Sequence, residues 1–291
     1  DLSISKGEVL GFLGPNGAGK TTTLRMLATL LVPDAGEATL AGYDLIREPA
    51  RVRTSIGYVS QAGGSDRGAT GWENLMLQGR LYGLDRKDAR LRAGALAEAF
   101  DLADIAARKA ETYSGGQRRR LDVALGMIHQ PELLFLDEPT TGLDPQNRAR
   151  MWQEIRRLRD AGVTIFLTTH YMDEADALSD RIAIMDHGEI VAEGTSRELK
   201  QGASGDTVRL GFDAATEVTA LASRLAALPF VHALHVSPEG IRLTVTDGER
   251  VLADILRMLD AEGIGLKTVS LAQPTLDDVF LRETGHALEN N

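Results

Sequence analysis

The chain has 291 residues, enough for one large domain or two modest ones, and its 43% hydrophobic and 25% charged residues are ordinary for a globular protein. The sequence contains no cysteine, which excludes disulfides and thiolate metal sites. Its formal net charge of -10 argues against broad nucleic-acid binding, so we expect no nucleic-acid partner and only local phosphate sites.

Short apolar runs alternate with helical patterns through the first two-thirds of the chain. A buried strand is predicted at Glu8–Leu13, followed by a glycine-rich loop and a helix. Four later apolar runs end in polar residues: "SIGYVSQ", "LLFLDE", "VTIFLTTH" and "RIAIMD". Continuous apolar strands separated by helices predict a mostly parallel α/β sheet, with ligands at the carboxyl ends of its strands.

The strand pattern is interrupted once and then changes character. Between Gln61 and about Ile128 only helical patterns occur, which predicts a helical insert over about residues 62–128 of a first domain, 1–200. The stretch "KQGASGD" (Lys200–Asp206) is predicted to be a linker. Residues 206–291 then follow the order β-α-β-β-α-β with a last helix, which predicts a small α+β domain of the ferredoxin-like type.

The loop "GPNGAGKTT" after the first strand fits the pattern G-x-x-x-x-G-K-[ST]. Its glycines let backbone N–H groups close around phosphate oxygens, Lys20 supplies a point charge, and the Thr21 hydroxyl can ligate Mg²⁺. A glycine-rich turn before an ordinary helix is the alternative, but the position between a strand and a helix favours nucleotide binding. The predicted phosphate-binding residues are Gly14, Pro15, Asn16, Gly17, Ala18, Gly19, Lys20, Thr21 and Thr22.

Polar residues close three of the other predicted strands. Asp137 and Glu138 could hold Mg²⁺ and polarise an attacking water, although a pair that caps a strand-to-helix turn is the alternative. Beside a phosphate loop on the same sheet, the catalytic interpretation is favoured. Gln61 and His170 end their own strands, which aligns them with this site. The remaining histidines are interpreted as ordinary polar residues: His129, His187, His232, His235 and His286.

A second glycine-rich helix start lies at "YSGGQRRR", Tyr113–Arg120. Such a start indicates bound phosphate, although the chain already has a stronger phosphate loop. The three arginines that follow could be an anion patch, but a solvated helix face is the favoured interpretation. Asp144 precedes Pro145 and an amphipathic helix, and an N-cap explains it without any ligand.

Together these motifs resemble the ATP-binding cassette (ABC) ATPases over about residues 1–200. In the family's order they are "GPNGAGKTT" as Walker A, Gln61 as the Q-loop, "YSGGQ" as the signature, "LLFLDEP" as Walker B, "TGLD" as the D-loop and "TTH" as the switch histidine. The resemblance implies a P-loop NTPase fold with a helical subdomain, ATP and Mg²⁺ binding, and ATPase activity. The stretches "LTTHYMDEAD" and "PTLDDVFLRETG" resemble ATP-binding subunits of daunorubicin-resistance-type exporters.

The resemblance also implies a homodimer with shared ATP sites. In this family one chain's Walker A loop binds the nucleotide, while the partner's signature helix faces its γ-phosphate; Asp144 also crosses the interface. The signature residues are Ser114, Gly115, Gly116 and Gln117. The implied metal residues are Thr21, Gln61 and Asp137, with Glu138 as general base and His170 on the γ-phosphate.

The family stacks adenine on an aromatic residue upstream of Walker A. Phe12 is too close to the loop and too buried in its strand for that role. Since the chain begins at Asp1 without Met, in a strand-like stretch "DLSIS", we expect that further N-terminal sequence carries this aromatic residue.

The resemblance finally implies an energising subunit at the cytoplasmic face of a bacterial membrane, with a transmembrane permease subunit in trans. Trp72, Leu75 and Met76 in the helical insert are candidate permease contacts, and core packing is their alternative. The expected cargo is a drug or antibiotic, with lipid, polysaccharide or ion as alternatives. A non-transport ABC ATPase is disfavoured by the short insert and the single cassette. The C-terminal domain could also sense a ligand or dimerise.

Overall fold

A computed structural model describes residues 1–203, 205–212, 218–237 and 240–284. These residues divide into two compact units, Asp1–Glu193 and the part from Gly194 onward. The elements of the first unit are β1 (Val9–Leu13), α1 (Lys20–Leu27), β2 (Thr39–Leu40), β3 (Tyr43–Asp44), α2 (Pro49–Ser55), β4 (Ile56–Val59), α3 (Gly71–Leu81), α4 (Arg86–Ala99), α5 (Gly115–Gly126), β5 (Leu133–Asp137), α6 (Pro145–Asp160), β6 (Thr164–Thr169), α7 (Met172–Leu178), β7 (Arg181–Asp186) and β8 (Glu189–Gly194).

The main sheet of the first unit has the strand order β4-β5-β6-β1-β7-β8 among the described residues. Strand β1 pairs in parallel with β6 and β7, and β5 pairs in parallel with β4 and β6, which confirms the predicted sheet. The register sets Leu13 opposite Thr169 and Asp137 opposite Thr168. The carboxyl ends of β1, β4, β5 and β6 therefore meet at one edge of the sheet.

Alternate residues of the central strands pack into two cores on opposite faces of the sheet. One core includes Leu10, Phe135 and Phe166, packed with residues of α1. The other includes Leu136 and Leu167, packed with residues of α5 and α6. These strands are buried on both sides, which accounts for their continuous apolar runs.

The predicted helical insert is present between β4 and β5 and contains α3, α4 and α5. A capping box starts α3, because Thr70 and Glu73 each accept from the other's backbone N–H. Leu75 is fully buried in the core, so its side chain is not available to contact a partner protein. Trp72 and Met76 are half-buried against the same core. The exposed large apolar side chains of α3 and α4 are Leu77, Leu81 and Leu91, with exposed fractions of 56%, 72% and 74%.

Two details of the sheet differ from the sequence interpretation. Strand β7 turns through His187 and Gly188, both with positive φ, into the unpredicted strand β8. This is the backbone conformation that two-residue hairpin turns require. The strand expected at "DLSIS" is absent from the described Asp1–Ser5. A turn follows this segment before β1, and there the Ser5 N–H donates to the Glu8 carboxylate at 2.6 Å.

The second unit has the predicted ferredoxin-like order. Its elements are α8 (Ser196–Ala203), β9 (Asp206–Phe212), α9 (Val218–Ala226), β10 (Val231–Ser237), β11 (Gly240–Val245), α10 (Gly248–Ala261), β12 (Leu266–Ala272) and α11 (Leu276–Thr284). The described strands form an antiparallel sheet in the order β10-β11-β9-β12. Val208, Leu243 and Ile255 lie in its core.

The expected linker at Lys200–Asp206 is largely helix, and the two units instead divide at Glu193 and Gly194. Thr195 and Glu198 form reciprocal side-chain to backbone hydrogen bonds that start α8, and α8 packs with α11 in the second unit. No helix within the described ranges combines the length and the apolar character needed to cross a bilayer.

Candidate functional site

The loop between β1 and α1 folds around its own lysine. Gly17 and Gly19 have φ values of 85° and 105°, a region that favours glycine. A Cβ on Gly14 would lie 2.2 Å from the Met185 carbonyl oxygen, so the close packing of this loop on β7 excludes a side chain there. The Lys20 ammonium donates to the carbonyl oxygens of Gly14 at 2.8 Å and Pro15 at 2.9 Å. Asn16, Gly17 and Thr22 are exposed, whereas Ala18 and Lys20 are buried.

Lys20 also lies at the edge of the sheet that carries the carboxylates. Its Nζ is 3.9 Å from Glu138 Oε1, and the side chain is 4% exposed. Burial lowers the pKa of Lys20, whereas the charges of Glu138 and Asp137 act in the opposite direction. The buried ammonium is thus held between backbone oxygens and a carboxylate, where an anionic phosphate can compete for it.

Asp137 joins the phosphate loop to the end of β6. Its Oδ1 accepts a hydrogen bond from Thr21 Oγ1 at 3.0 Å and another from Thr168 Oγ1 at 2.8 Å. The carboxylate is 1% exposed. A hydroxyl and a carboxylate are the hard oxygen donors that Mg²⁺ prefers, so Thr21 and Asp137 could hold this ion.

Glu138 adopts a strained backbone conformation for a non-glycine residue, with a φ of 45°. Its N–H donates to both the carbonyl and the hydroxyl oxygen of Thr168, each at 3.1 Å. Such strain is found where surrounding structure fixes a side chain for function. Here it fixes the Glu138 carboxylate beside the phosphate loop.

The Glu138 carboxylate is surrounded by donors and positive charge. Its Oε2 accepts from Gln61 Nε2 and from Thr141 Oγ1, each at 3.0 Å, and lies 3.4 Å from His170 Nδ1. His170, then Thr141 and Lys20, hold the pKa of Glu138 below its ordinary value, against the opposing effect of burial. Glu138 is therefore a carboxylate at neutral pH and can accept a proton.

The structure thus brings together most of the predicted site. Gln61, Glu138 and His170 meet directly, and Lys20 lies beside Glu138. Thr21 and Asp137 are joined next to them. These side chains come from the ends of four different elements, as the parallel sheet predicts.

The signature residues instead form the start of α5. Ser114 Oγ accepts from the Gln117 N–H at 3.2 Å, and Gln117 Oε1 accepts from the Ser114 N–H at 2.9 Å, which completes a capping box. Gly115 and Gly116 open the helix, where N–H groups lack acceptors within the helix. A Cβ on Gly116 would lie 2.2 Å from Asn147 Oδ1, whereas one on Gly115 would have space.

Asp144 caps α6, as the sequence predicted. Its carboxylate accepts from the Asn147 N–H at 2.9 Å and from Asn147 Nδ2 at 2.5 Å. The backbone hydrogen bond from Asn147 lowers the pKa of Asp144. Since Asn147 also touches Gly116, the start of α6 and the signature helix are packed together.

Sequence reasoning misplaced two of the three arginines and missed one buried carboxylate, Glu174. Arg119 and Arg120 are 7% and 6% exposed, so the solvated-face interpretation is wrong for both. Arg120 lies one turn before Ala124 on the apolar stripe of α5, which was the available signal. Glu174, 1% exposed, accepts from Thr140 Oγ1 at 2.7 Å and Trp152 Nε1 at 3.1 Å.

One edge of the sheet carries a phosphate loop, an ionised strand-end glutamate, a glutamine and a histidine. This combination defines a P-loop ATPase. Comparison with known proteins gives its family. A model described as "ABC transporter" matches residues 1–141, and one described as "ATP-binding protein DrrA1-3-like, C-terminal domain" matches residues 194–284. The chain belongs to the ATP-binding proteins of ABC transporters, in the daunorubicin/doxorubicin-resistance group, and is an ATPase.

Two curated relatives and one solved structure illustrate the similarity. The daunorubicin/doxorubicin resistance ATP-binding protein of Streptomyces peucetius is 46% identical over 100% of this chain and 88% of its own length. The Nod factor export ATP-binding protein I of Ralstonia nicotianae is 39% identical over 99% of this chain and 89% of its own length. A dimeric ATP-binding cassette bound to ADP and Pi is 27% identical, with a TM-score of 0.60 over 67% of this chain and 88% of its own.

Proposed function

We propose that this chain hydrolyses ATP to power a membrane exporter of drugs or antibiotics. The observation that carries the proposal is the Glu138 carboxylate, held ionised by His170 and Thr141 and hydrogen-bonded to Gln61 beside the phosphate loop. In the proposed reaction water attacks the γ-phosphorus of ATP, Glu138 accepts the water's proton, and ADP leaves. The name of the Streptomyces peucetius relative supports drug resistance as the purpose of this work.

The remaining side chains have supporting roles in this proposal. Lys20 leaves the carbonyl oxygens that it now contacts and binds phosphate oxygens, and backbone N–H groups of the loop after Pro15, in Asn16–Thr22, supply further donors. His170 contacts the γ-phosphate and the water, and Gln61 orients that water. Once ATP has bound, these charges and hydrogen bonds are in place before the reaction, and such electrostatic preorganisation is usually the largest single source of catalysis.

A magnesium ion fits the donor set of this edge. Thr21 Oγ1 and Asp137 Oδ1 are oxygen donors 3.0 Å apart. Gln61, whose Nε2 donates to the neighbouring Glu138, is the proposed third ligand. In the proposed site the ion takes its other ligands from phosphates and water, as Mg²⁺ usually does. When bound, Mg²⁺ would neutralise charge on the phosphates.

We propose that two copies of the chain share two ATP sites. Gly115 and Gly116 present free N–H groups at a helix start, where about half a positive charge accumulates. Ser114 and Gln117 stabilise that start through their capping box. In the dimer this surface faces the partner's ATP, and Asp144 reaches the interface from the neighbouring helix. The dimeric cassette bound to ADP and Pi supports this arrangement.

The proposed partner is a transmembrane permease subunit in trans, which places the chain on the cytoplasmic face of a bacterial membrane. The helical insert is the proposed docking region, with Trp72 and Met76 as half-buried contacts. Leu77, Leu81 and Leu91 extend that region, because they are the exposed large apolar side chains of α3 and α4. Export from the cell is the direction that the name of the Nod factor export relative supports.

An export assay tests the proposal. The chain is co-expressed with the membrane protein encoded beside it, and cells are challenged with daunorubicin. We expect increased survival and lower cellular drug content, and no such effect with Glu138→Gln. Drug content equal to that of cells without the pair would contradict drug export.

The second candidate cargo is a Nod factor, the molecule that the name of one relative gives. It is favoured by the 39% identity to a Nod factor export ATP-binding protein. In that case the same cells would be as drug-sensitive as controls. The ATP-dependent appearance of Nod factor outside cells that are supplied with it would require both the pair and Glu138.

A further inference from the structure

The middle arginine of "RRR" makes a set of contacts that no predicted motif accounts for. Arg119 is 7% exposed, although it belongs to the helix that carries the signature residues. Its Nε donates to the Pro139 carbonyl oxygen at 2.8 Å, and its Nη1 donates to the Ser60 carbonyl oxygen at 2.6 Å. Its Nη2 donates to the carbonyl oxygens of Asp137 at 2.9 Å and Glu138 at 3.3 Å.

These acceptors belong to the two loops that hold the reacting groups. Ser60 immediately precedes Gln61, and Glu138 is itself an acceptor. The guanidinium is planar with a fixed fork of five donors, so one group can fix several carbonyl oxygens at once. It therefore sets the backbone positions of both Gln61 and Glu138.

A second side chain of α5 strengthens the same link. Asp122, one turn after Arg119, accepts from the N–H groups of Gly64 at 3.0 Å and Ser65 at 2.9 Å through its Oδ1. The loop after β4 is thus held to α5 at both ends, by Arg119 at Ser60 and by Asp122 beyond Gln61. The helix that begins at the signature is in this way attached to the Gln61–Glu138 pair of its own chain.

We propose that Arg119 is a positioning residue that holds the Gln61–Glu138 pair in its reactive geometry and ties that geometry to the position of the signature helix. The inference rests on the proposed role of Glu138. Arg119 does not touch ATP; it acts on turnover through the backbone of the two loops. In a dimer with shared sites, a displacement of the signature helix at one ATP would reach Glu138 at the other ATP through Arg119.

Arg119→Lys in the full-length chain tests this role, because lysine keeps the charge but loses the fork. A misplacement of about 1 Å in a catalytic group lowers rates by roughly 100-fold. We therefore expect kcat to fall roughly ten- to hundredfold, with the affinity for a fluorescent ATP analogue unchanged. Rates are normalised to the analogue bound, so that only folded protein is counted.

Arg120→Lys is the matched control for a buried arginine on the same helix. Arg120 lies 3.6 Å from Asp101 and has none of the contacts of Arg119 to the loops of Gln61 and Glu138. We expect its kcat to equal that of the wild type, even if its melting temperature falls. An equal loss of kcat in both lysine variants would show a general packing effect and overturn the proposal.

A double-mutant cycle with Gln61→Ala separates positioning from structural support. If Arg119 acts through the Gln61–Glu138 pair, the double variant Arg119→Lys, Gln61→Ala loses less than the product of the two single losses. Losses that multiply would overturn the proposal, as would wild-type kcat in Arg119→Lys. Failure of both Arg119→Lys and Arg119→Gln to bind the analogue would assign Arg119 to folding and overturn it too. Full turnover by Glu138→Gln would instead refute the proposed function.

Discussion

Gln61 and Glu138, which are far apart in the chain, are joined side chain to side chain by a hydrogen bond of 3.0 Å. They end two neighbouring strands, β4 and β5, whose parallel register brings their carboxyl ends together. The backbone of Glu138 lies in the left-handed region, with a φ of 45°. Its side chain is ionised, and His170 is the main cause of its lowered pKa. This pair, beside Lys20, is the feature on which the proposed hydrolysis depends.

Shared ATP sites predict that two inactive variants restore activity when mixed. Lys20→Ala removes the ammonium of the phosphate loop, and Ser114→Arg blocks the signature start. In mixed dimers one site combines an intact Lys20 with an intact Ser114, so we expect about a quarter of the wild-type ATPase rate after random re-pairing. Steady-state phosphate release measures it. A rate no higher than that of either variant alone would count against shared sites.

The two glycines of the signature predict opposite effects of an added methyl group. Gly116→Ala places a Cβ 2.2 Å from Asn147 Oδ1, so that the side chain of Asn147 must leave its contacts with Asp144. We expect a loss of about 1–3 kcal/mol in the free energy of unfolding. Gly115→Ala is the matched control, since its Cβ meets only Leu143 Cδ2 at 3.9 Å. The control should be neutral or more stable by up to about 1 kcal/mol.

Chemical denaturation of both variants measures these changes. If Gly115→Ala and Gly116→Ala have the same free energy of unfolding, the contact between α5 and Asn147 does not constrain the folded chain.

Glu174 predicts a pH-dependent component of stability. Burial raises its pKa above the ordinary 4.5, against hydrogen bonds from Thr169, Thr140 and Trp152 that lower it. Below about pH 4.5 the carboxyl is neutral in both the folded and the unfolded chain. As pH rises further, only the unfolded chain ionises at first, so folding free energy is lost until the folded pKa is passed.

Glu174→Gln removes this loss, because glutamine stays neutral. As pH rises, the difference in free energy of unfolding between the variant and the wild type should increase in favour of the variant. We expect this increase to be about 1.4 kcal/mol for each unit by which the pKa of Glu174 in the folded chain exceeds 4.5. Urea denaturation between pH 4 and pH 8 measures the difference, with the exposed Glu98→Gln as control. A constant difference across this range would show that burial does not shift Glu174.

The sequence predicted the cassette well because its signals are local. Each signal depends on residues only a few positions apart in the sequence. Examples are the glycines Gly14 and Gly19, the apolar strand before Asp137 and the capping serine Ser114. The meeting of Gln61 with Glu138 also followed, since parallel strands align their carboxyl ends.

The unpredicted parts depend on contacts that are distant in sequence. The burial of Arg119 follows from carbonyl oxygens on two other loops, and that of Glu174 from Thr140 and Trp152. Leu75 could not be separated from its exposed neighbour Leu77 by composition, because only the packing of α3 decides which face is covered. The expected linker is a different case, because the hydrogen bonds between Thr195 and Glu198 that start α8 join residues only three positions apart, a local signal that the sequence already carried.

The role of Glu138 is tested most directly by the rate of a single ATP turnover in Glu138→Gln. The amide keeps the size and the hydrogen-bonding oxygen of the side chain but cannot accept the proton of water. We expect hydrolysis slower by on the order of 10²–10⁴-fold, unchanged ATP binding, and a dimer that persists with ATP in size-exclusion chromatography. Glu132→Gln, exposed before the opposite end of β5, should hydrolyse ATP like the wild type. Hydrolysis by Glu138→Gln at the wild-type rate would contradict the account.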